Sequence, residues 1–321
     1  MKKKIIIVGG DPNSINSELI YKSWKKLDKS LRNRIYIISN YSLLKAQFKK
    51  LNYKIKLKKI KDIHKKNLEN ELKIIDINLR FKNPFKIPYK SSSNFILNSL
   101  NFGHKLALKK EIAGFVNCAI DKKLLVKSKI GVTEYLASKC KIKNHSEVML
   151  IKNDKLAVCP ITTHINIREI SKKIKKELII TKVKTIDNWY KKKLKKNPKI
   201  AILGLNPHNA EMRKDSEEKK IIIPAIKKLR RLGLNIKGPL VSDTIFINDY
   251  KKFDVIIGMF HDQVLTPFKT LYKFNAINIT LGLKYLRVSP DHGVAVDIIG
   301  KKRANCASLL NCIKFINKFG K

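Results

Sequence analysis

The 321-residue chain has few arginines, few acidic residues and no long apolar run. No stretch approaches the ~20 consecutive apolar residues of a membrane-spanning helix, so we expect no membrane association. The start, MKKKIIIVGGDP, has an apolar part too short for a signal peptide and is better interpreted as a first strand. The five cysteines are odd in number and lack the paired spacing of metal sites, which indicates free thiols in a reducing compartment. The sequence therefore predicts a cytoplasmic protein.

The charge is strongly unbalanced, with 70 basic and 25 acidic residues and a formal net charge of +45. Such a charge commonly indicates nucleic-acid binding, which would favour clustered arginines interleaved with aromatic residues. Only nine of the basic residues are arginine, and the 61 lysines are scattered along the whole chain. Abundant Lys, Ile and Asn are typical of an AT-rich genome. We therefore expect no specific nucleic-acid partner, although the charge would attract anionic small molecules.

Short apolar runs alternate with segments of helical periodicity. Six runs are typical of buried strands, namely residues 5–8, 35–38, 115–119, 156–159, 200–203 and 255–258. Residues 17–27 and 221–232 have helical patterns, and Gly233 is well placed to end the second helix. This alternation favours an α/β fold with a mainly parallel sheet. The Lys-rich segment 51–90 has weak periodicity and is interpreted as an irregular excursion.

Three histidines each follow one of these apolar runs: His164, His208 and His261. Ligands bind at the carboxyl ends of strands in open α/β sheets, so the three side chains converge if their strands share a sheet. Neutral imidazoles suit zinc, cobalt or nickel, and three of them leave positions open for substrate oxygens. The alternative is that each is a hydrogen-bonded loop residue, because a chain with seven histidines can place three after strands by chance.

Several separate motifs, all in order, resemble one enzyme family. The segments TTHINIRE, GLNPH, GPLVSDTIF, HDQ, NITLGLKYLR and DHG resemble the motifs of 4-hydroxythreonine-4-phosphate dehydrogenases, which act in pyridoxal-phosphate (vitamin B6) biosynthesis. The opening VGGDPNSINSELI is similar to that family's GDPAGIGPE start. The resemblance runs nearly end to end and is densest over residues 160–300. It implies oxidation of 4-phosphohydroxy-L-threonine at C3 by NAD or NADP, then loss of carbon dioxide to give 3-amino-2-oxopropyl phosphate.

The resemblance also implies the residues of the site. The metal ligands would be His164, His208 and His261, and the substrate contacts would be Thr133, Lys269, Asn278 and Arg287. Zinc is the metal we expect first, with cobalt or magnesium as alternatives. A lysine and an arginine suit a substrate that carries a phosphate and a carboxylate. Asp243 and Asp262 are candidates to orient a ligand histidine or contact substrate, or else are helix-cap or turn residues.

No Gly-x-Gly-x-x-Gly follows the first strand, so we do not expect a dinucleotide there. The segment from His292 to near Asn305 is similar to the adenosine-binding loop of isocitrate and isopropylmalate dehydrogenases. That likeness implies cofactor contacts from His292, Gly293 and Asn305, the alternative for the His-Gly pair being a tight turn.

The family resemblance implies the isocitrate/isopropylmalate dehydrogenase-like fold, with two α/β/α-layered domains and a cleft between them. The first domain would be discontinuous and comprise residues 1–118 and 262–321. The second would comprise residues 119–261 and carry the dimer contacts. A homodimer with its active site at the subunit interface is also implied.

Two departures from the family pattern bear on the substrate. Val132 stands where the family has a substrate-binding histidine, and valine cannot form that hydrogen bond. The glycine-rich stretch that usually follows Asn-Pro-His reads NAEMRKDSEEKK, so that loop can be shaped differently. Val132 favours a rival substrate such as threonate or erythronate 4-phosphate. A paralogue without activity is a further alternative, against which the intact histidine triad argues.

Overall fold

The computed structural model describes residues 3–63, 70–128, 131–142 and 146–320. These residues form twelve strands: β1 (Lys4–Val8), β2 (Ile35–Ser39), β3 (Lys56–Ile60), β4 (Glu71–Asp76), β5 (Ile112–Asn117), β6 (Val148–Lys152), β7 (Ala157–Pro160), β8 (Ile200–Leu203), β9 (Ile236–Leu240), β10 (Val255–Gly258), β11 (Ile277–Leu281) and β12 (Arg287–Pro290).

The same residues form eleven α-helices: α1 (Asn16–Lys26), α2 (Lys29–Arg32), α3 (Tyr41–Lys50), α4 (Tyr89–Leu108), α5 (Val132–Lys139), α6 (Ile170–Lys173), α7 (Lys176–Trp189), α8 (Ile223–Arg231), α9 (Ser242–Ile245), α10 (His261–Tyr272) and α11 (Ala307–Phe319). No helix in the described ranges is both long enough and apolar enough to span a membrane.

The chain divides into two compact units, Met1–Ser138 with Lys284–Lys321, and Lys139–Leu283. We expected the chain to pass from one domain to the other after residues 118 and 261. The boundaries instead fall after residues 138 and 283, which is 20 and 22 residues later. Helix α10 explains the second difference, because its Val264, Leu265 and Phe268 are buried in the core of the second unit. In the first unit, Tyr135 of α5 donates to Asn101 of α4 at 2.7 Å, which ties α5 to that unit.

The first unit contains a parallel sheet in the order β3-β4-β2-β1-β5-β12. Its central strands are buried along nearly their whole length, as continuous apolar runs in a parallel sheet require. Helices α2 and α3 begin where Asp28 and Asn40 accept hydrogen bonds from backbone N–H groups of the first turn.

The segment predicted to be irregular, residues 51–90, instead contains β3 and β4. Strand β3 lies at the edge of the sheet and is exposed or half-buried along its length, so its sequence KLKKI carries little apolar pattern. Strand β4 is buried at its centre and pairs with both β2 and β3. Residues 64–69 of this segment lie outside the described residues.

The second unit contains a mixed sheet in the order β11-β6-β7-β10-β8-β9. Strand β6 is antiparallel to β11 and β7, whereas β7, β10, β8 and β9 are mutually parallel. The apolar face of α10 packs on these strands, and Phe268 at its centre is fully buried. The α/β fold predicted from the sequence is therefore confirmed, and β7, β8 and β10 are the strands that carry the three histidines.

Candidate active site

The topology of the second unit brings the three histidines to one edge of its sheet. Strand β10 lies between β7 and β8 and is parallel to both, so the carboxyl ends of the three strands point the same way. His164 follows β7, His208 follows β8, and His261 begins α10 directly after β10. The rings of His164 and His261 have their centroids 5.4 Å apart. Two of the predicted metal ligands are thus neighbours.

A carboxylate lies against each of two histidines. Asp262 Oδ1 is 2.7 Å from His261 Nδ1, and Asp243 Oδ2 is 3.8 Å from His208 Nε2. A proton on His261 Nδ1, donated to Asp262, would leave Nε2 available as a ligand. His208 is different, because its side chain is 70% exposed and its Nε2 faces Asp243.

The backbone around His208 explains its orientation. Five consecutive residues, His208 to Met212, have φ between 44° and 59°, and none of them is glycine. Left-handed backbone costs L-residues roughly 1–2 kcal/mol each, so the surrounding contacts must hold this turn in place. The altered loop anticipated after Asn-Pro-His is thus a left-handed turn.

The chemical types of these side chains suit a divalent metal, because imidazole nitrogens flanked by carboxylates are common ligands for zinc and cobalt. The strand order places His164 and His261 side by side. Within the described ranges, however, no three His, Cys, Asp or Glu side chains are grouped closely enough to hold a metal ion. His208 is therefore not gathered with the other two, since the left-handed turn directs its ring toward Asp243.

Gln263, which belongs to the HDQ motif but is not among the predicted site residues, joins three segments of the site. Its Oε1 accepts from the backbone N–H of Met259 at 2.6 Å. Its Nε2 donates to the carbonyl of Gly204 and to Ser242 Oγ, both at 2.7 Å. The bonded groups precede His261, His208 and Asp243 in the chain. The amide therefore links the ends of β10 and β8 to the segment at α9, and its place in the HDQ motif was the only sequence signal for it.

Arg287 is the most buried of the predicted substrate contacts and lies in the first unit. It begins β12, is 2% exposed, and its Nε donates to Asn117 Oδ1 at 2.6 Å. Its Nη1 donates to Thr133 Oγ1 at 3.3 Å, so two predicted substrate residues are in contact. Burial lowers the pKa of Arg287 to about 10, and Glu134 is among the groups that offset this effect. The guanidinium remains charged at neutral pH and suits a phosphate or carboxylate.

Lys269 and Asn278 lie in the second unit on different elements. Lys269 is an exposed residue of α10, eight positions after His261. Asn278 lies on β11, and its Oδ1 is buried without a hydrogen-bond donor in the described part of the chain. A buried amide oxygen costs free energy unless a donor meets it, and an ammonium or hydroxyl group of a substrate would supply one.

The predicted cofactor residues lie in the first unit, around the start of α11. His292 Nδ1 is 2.9 Å from the carbonyl of Gly293, and Asn305 Oδ1 accepts from the N–H of Ala307 at 2.9 Å. The second bond joins a side chain to the backbone two residues on, as in an Asx turn that precedes the helix. A Cβ on Gly293 would meet open space, so local packing does not require a glycine there.

The residues before Asn305 are anchored to α1. Glu18 Oε1 accepts from the N–H of Ala304 at 2.9 Å and from Lys22 Nζ at 2.6 Å. Lys22 Nζ also donates to the carbonyls of Lys302 and Ala304. This buried carboxylate and its lysine therefore determine where the candidate cofactor segment lies.

Comparison with known proteins identifies the family. The model for pyridoxal phosphate biosynthetic protein PdxA matches residues 30–316. The 4-hydroxythreonine-4-phosphate dehydrogenase of Sulfurihydrogenibium sp. is 38% identical over 320 residues, covering 97% of this chain and 96% of that protein. The chain belongs to the PdxA family. The predicted family and oxidoreductase class are confirmed.

Solved structures agree with the PdxA assignment. The crystal structure of 4-hydroxythreonine-4-phosphate dehydrogenase from Klebsiella pneumoniae has a TM-score of 0.83 and 26% identity, and each chain covers 99% of the other. A beta-decarboxylating dehydrogenase from Thermococcus kodakarensis has a TM-score of 0.53 at 11% identity over 98% of this chain and 82% of its own, a likeness of fold alone. An Oceanobacillus iheyensis relative provisionally named D-threonate 4-phosphate dehydrogenase is 31% identical over 97% of this chain and 96% of its own.

Proposed function

We propose that this chain oxidises 4-phosphohydroxy-L-threonine at C3, with NAD or NADP as hydride acceptor, and decarboxylates the product to 3-amino-2-oxopropyl phosphate. The observation that carries the proposal is the pair His164 and His261, at the carboxyl ends of parallel strands with Asp262 on His261 Nδ1. Family membership supplies the substrate and the reaction.

His164, His208 and His261 would hold a divalent metal, zinc first. The metal would supply Lewis-acid stabilisation of negative charge on the substrate oxygen at C3. Asp262 keeps the His261 ring in one tautomer, and Gln263 keeps the ends of β8 and β10 together. His208 would have to turn from Asp243 to join the other two ligands.

The remaining residues would bind and orient the substrate. Arg287, held by Asn117 and Thr133, would bind one anionic group with a rigid guanidinium. Asn278 Oδ1 would accept a hydrogen bond from the substrate's ammonium group. Lys269 would bind the second anionic group or carry the proton that leaves the C3 hydroxyl. Cofactor contacts are assigned to His292, Gly293 and Asn305.

The proposal includes a homodimer with the active site at the subunit interface. Ile165 and Ile167 lie one and three residues after His164 and are 39% and 83% exposed. Apolar side chains beside a polar site are typical of a surface that a second subunit covers. Light scattering across a range of concentrations would test this, and a mass of one chain throughout would contradict it.

A cytoplasmic location completes the proposal. All five cysteines are free and buried, as in proteins of reducing compartments. Fractionation of cells that produce the protein would test the location.

The experiment that tests the function is NADH or NADPH formation by metal-free protein, before and after addition of zinc, cobalt or magnesium. The His261→Ala variant is the blank. Metal-dependent turnover of 4-phosphohydroxy-L-threonine that is lost in the variant would support the proposal. Folded protein without turnover under any of these metals would contradict it.

A second candidate substrate is D-threonate 4-phosphate or a related hydroxy acid. Two observations favour it, namely Val132 in place of the family's histidine and the relative from Oceanobacillus iheyensis. Val132 begins α5, directly before Thr133. Comparing kcat/KM for the two substrates, in the unaltered protein and in Val132→His, separates the candidates. If the unaltered protein prefers the threonate and Val132→His prefers 4-phosphohydroxy-L-threonine, the result would favour the second candidate substrate.

A further inference from the structure

Asn117 ends β5 beside the start of β12, in the first unit. The register of these two parallel strands pairs Arg287 of β12 with Phe115 of β5. Side chains two residues apart in a strand point to the same face of the sheet, so Asn117 shares the face of Phe115 and Arg287. The strand pairing thus brings together Asn117 and Arg287, which lie 170 positions apart in the chain.

Two contacts fix the side-chain amide of Asn117, which is only 3% exposed. Its backbone is paired with Val8 of β1, and its Nδ2 donates to the carbonyl of Cys118 at 3.3 Å. Because the amide nitrogen is engaged by a carbonyl, the amide oxygen is the group that remains to accept. That oxygen accepts from Arg287 Nε at 2.6 Å.

The guanidinium of Arg287 is therefore held at two of its nitrogens. Nε donates to Asn117, and Nη1 donates to Thr133 Oγ1 at 3.3 Å. Two contacts fix the plane of a rigid, planar group. Both acceptors are neutral, so neither cancels the positive charge that an anionic ligand would meet.

The neutrality of the acceptor at position 117 has a consequence for binding. An aspartate there would form a buried, charge-assisted pair with Arg287, and a phosphate or carboxylate ligand would then compete with it. An alanine would leave Nε without its acceptor and the plane of the guanidinium less well defined. Asparagine supplies the hydrogen bond without supplying a charge.

We propose that Asn117 is a positioning residue that sets the plane of the Arg287 guanidinium and, being neutral, leaves its charge for an anionic group of the substrate. Asn117 lies outside the set of site residues that the sequence predicted. The inference rests on the proposed function, because it assigns Arg287 to substrate.

Asn117→Asp tests the inference, because affinity and stability should not change in the same direction. Calorimetric titration of the full chain with 4-phosphohydroxy-L-threonine or inorganic phosphate, with no nicotinamide cofactor present, measures affinity without turnover. The binding that is lost in Arg287→Gln belongs to this site. We expect its affinity to fall roughly 10–100-fold in Asn117→Asp, since the ligand loses a charge-assisted contact. The midpoint of urea unfolding should stay the same or rise, because the buried cation gains a charged partner.

Asn117→Ala covers the case in which Asn117→Asp does not fold. It removes the acceptor without adding a charge, so affinity should fall by about 3–10-fold, the effect of one neutral hydrogen bond. Its urea midpoint should fall as well. The two variants should therefore differ in the sign of the stability change and agree in the sign of the affinity change.

Asn153→Asp is the matched control for the change of charge. Asn153 is 9% exposed, and its Oδ1 accepts from the N–H groups of Lys155 and Leu156, bonds that a carboxylate can keep. It lies in the turn between β6 and β7, at the amino end of β7, whereas His164 follows the carboxyl end. Affinity should change by less than about twofold, because distant charges are screened by salt.

Each outcome decides the inference. Asn117→Asp and Asn117→Ala that bind like the unaltered protein, within about twofold, would overturn it and leave the proposed function untouched. Asn117→Asp that loses both affinity and stability would indicate a structural role and would also overturn it. If the expected changes hold for phosphate while the unaltered protein fails to turn over 4-phosphohydroxy-L-threonine, the inference stands and the proposed substrate fails. If Arg287→Gln loses no binding, the inference fails together with the proposed role of Arg287.

Discussion

The two units hold their predicted ligand-binding residues in different ways. Arg287 of the first unit is 2% exposed and bonded to Asn117 and Thr133, so the packed end of a parallel sheet places it. His208 of the second unit is 70% exposed on a left-handed turn, and its nearest carboxylate is Asp243. A residue within the core is preorganised by packing, whereas a residue on a loop depends on a few polar groups at the strand ends.

The largest effect is expected from removing His261, a proposed metal ligand. His261→Ala should lower kcat at least about 10³-fold, because a bound metal contributes several kcal/mol of charge stabilisation and each ~1.4 kcal/mol is tenfold. Steady-state kinetics measures this. Asp262→Asn, which keeps the ligand and weakens its orientation, should lose only about 10–100-fold. Equal losses in the two variants would mean that His261 is not a ligand.

Arg287→Lys tests whether the buried guanidinium of the first unit binds substrate. Lysine cannot form the hydrogen bonds to Asn117 and Thr133 and also bind an anion through bidentate hydrogen bonds. The KM for substrate should therefore rise roughly 10²-fold. Cobalt affinity should be unchanged. A variant with the original KM would show that this buried cation does not bind substrate.

Gln263→Leu tests the polar contacts at the strand ends. The change removes three hydrogen bonds, to Met259, Gly204 and Ser242, so the free energy of unfolding should fall by about 2–3 kcal/mol. Cobalt affinity should fall as well, since the ends of β8 and β10 lose their link. Urea unfolding and cobalt titration measure the two effects. A destabilised variant with unchanged cobalt affinity would show that Gln263 contributes to stability and not to metal binding.

The smallest effect is the pH dependence of stability that Glu218 contributes. Burial would raise its pKa, but hydrogen bonds from Asn206 and Leu205 outweigh burial, and the pKa lies below the ordinary 4.5. The unfolded chain therefore binds this proton more readily, so the stabilisation is fully present above pH 4.5 and is lost as pH falls through the folded-state pKa.

Urea unfolding of the unaltered protein and of Glu218→Gln, from neutral pH to about pH 3, measures this dependence. The variant should lose less stability over the acid range. Parallel curves would show that Glu218 has an ordinary pKa.

The strands that carry the histidines were predictable because buried parallel strands are continuous apolar runs. The runs at 156–159, 200–203 and 255–258 lie within two residues of β7, β8 and β10. Strand β3 was missed because an exposed edge strand of mostly lysine has no apolar alternation. The position of α10 in the second unit was missed because it depends on which sheet buries Phe268.

The sequence by itself determined the fold class, the family and the types of donor available, since strand patterns and motifs are local in the chain. Only the tertiary structure decided that His164 lies beside His261 and that His208 faces Asp243. It also revealed Gln263 and Glu218 as the groups that hold the strand ends. The physical reason is that each of these contacts joins segments distant in the chain, and its geometry follows from strand order and burial rather than from neighbouring residues.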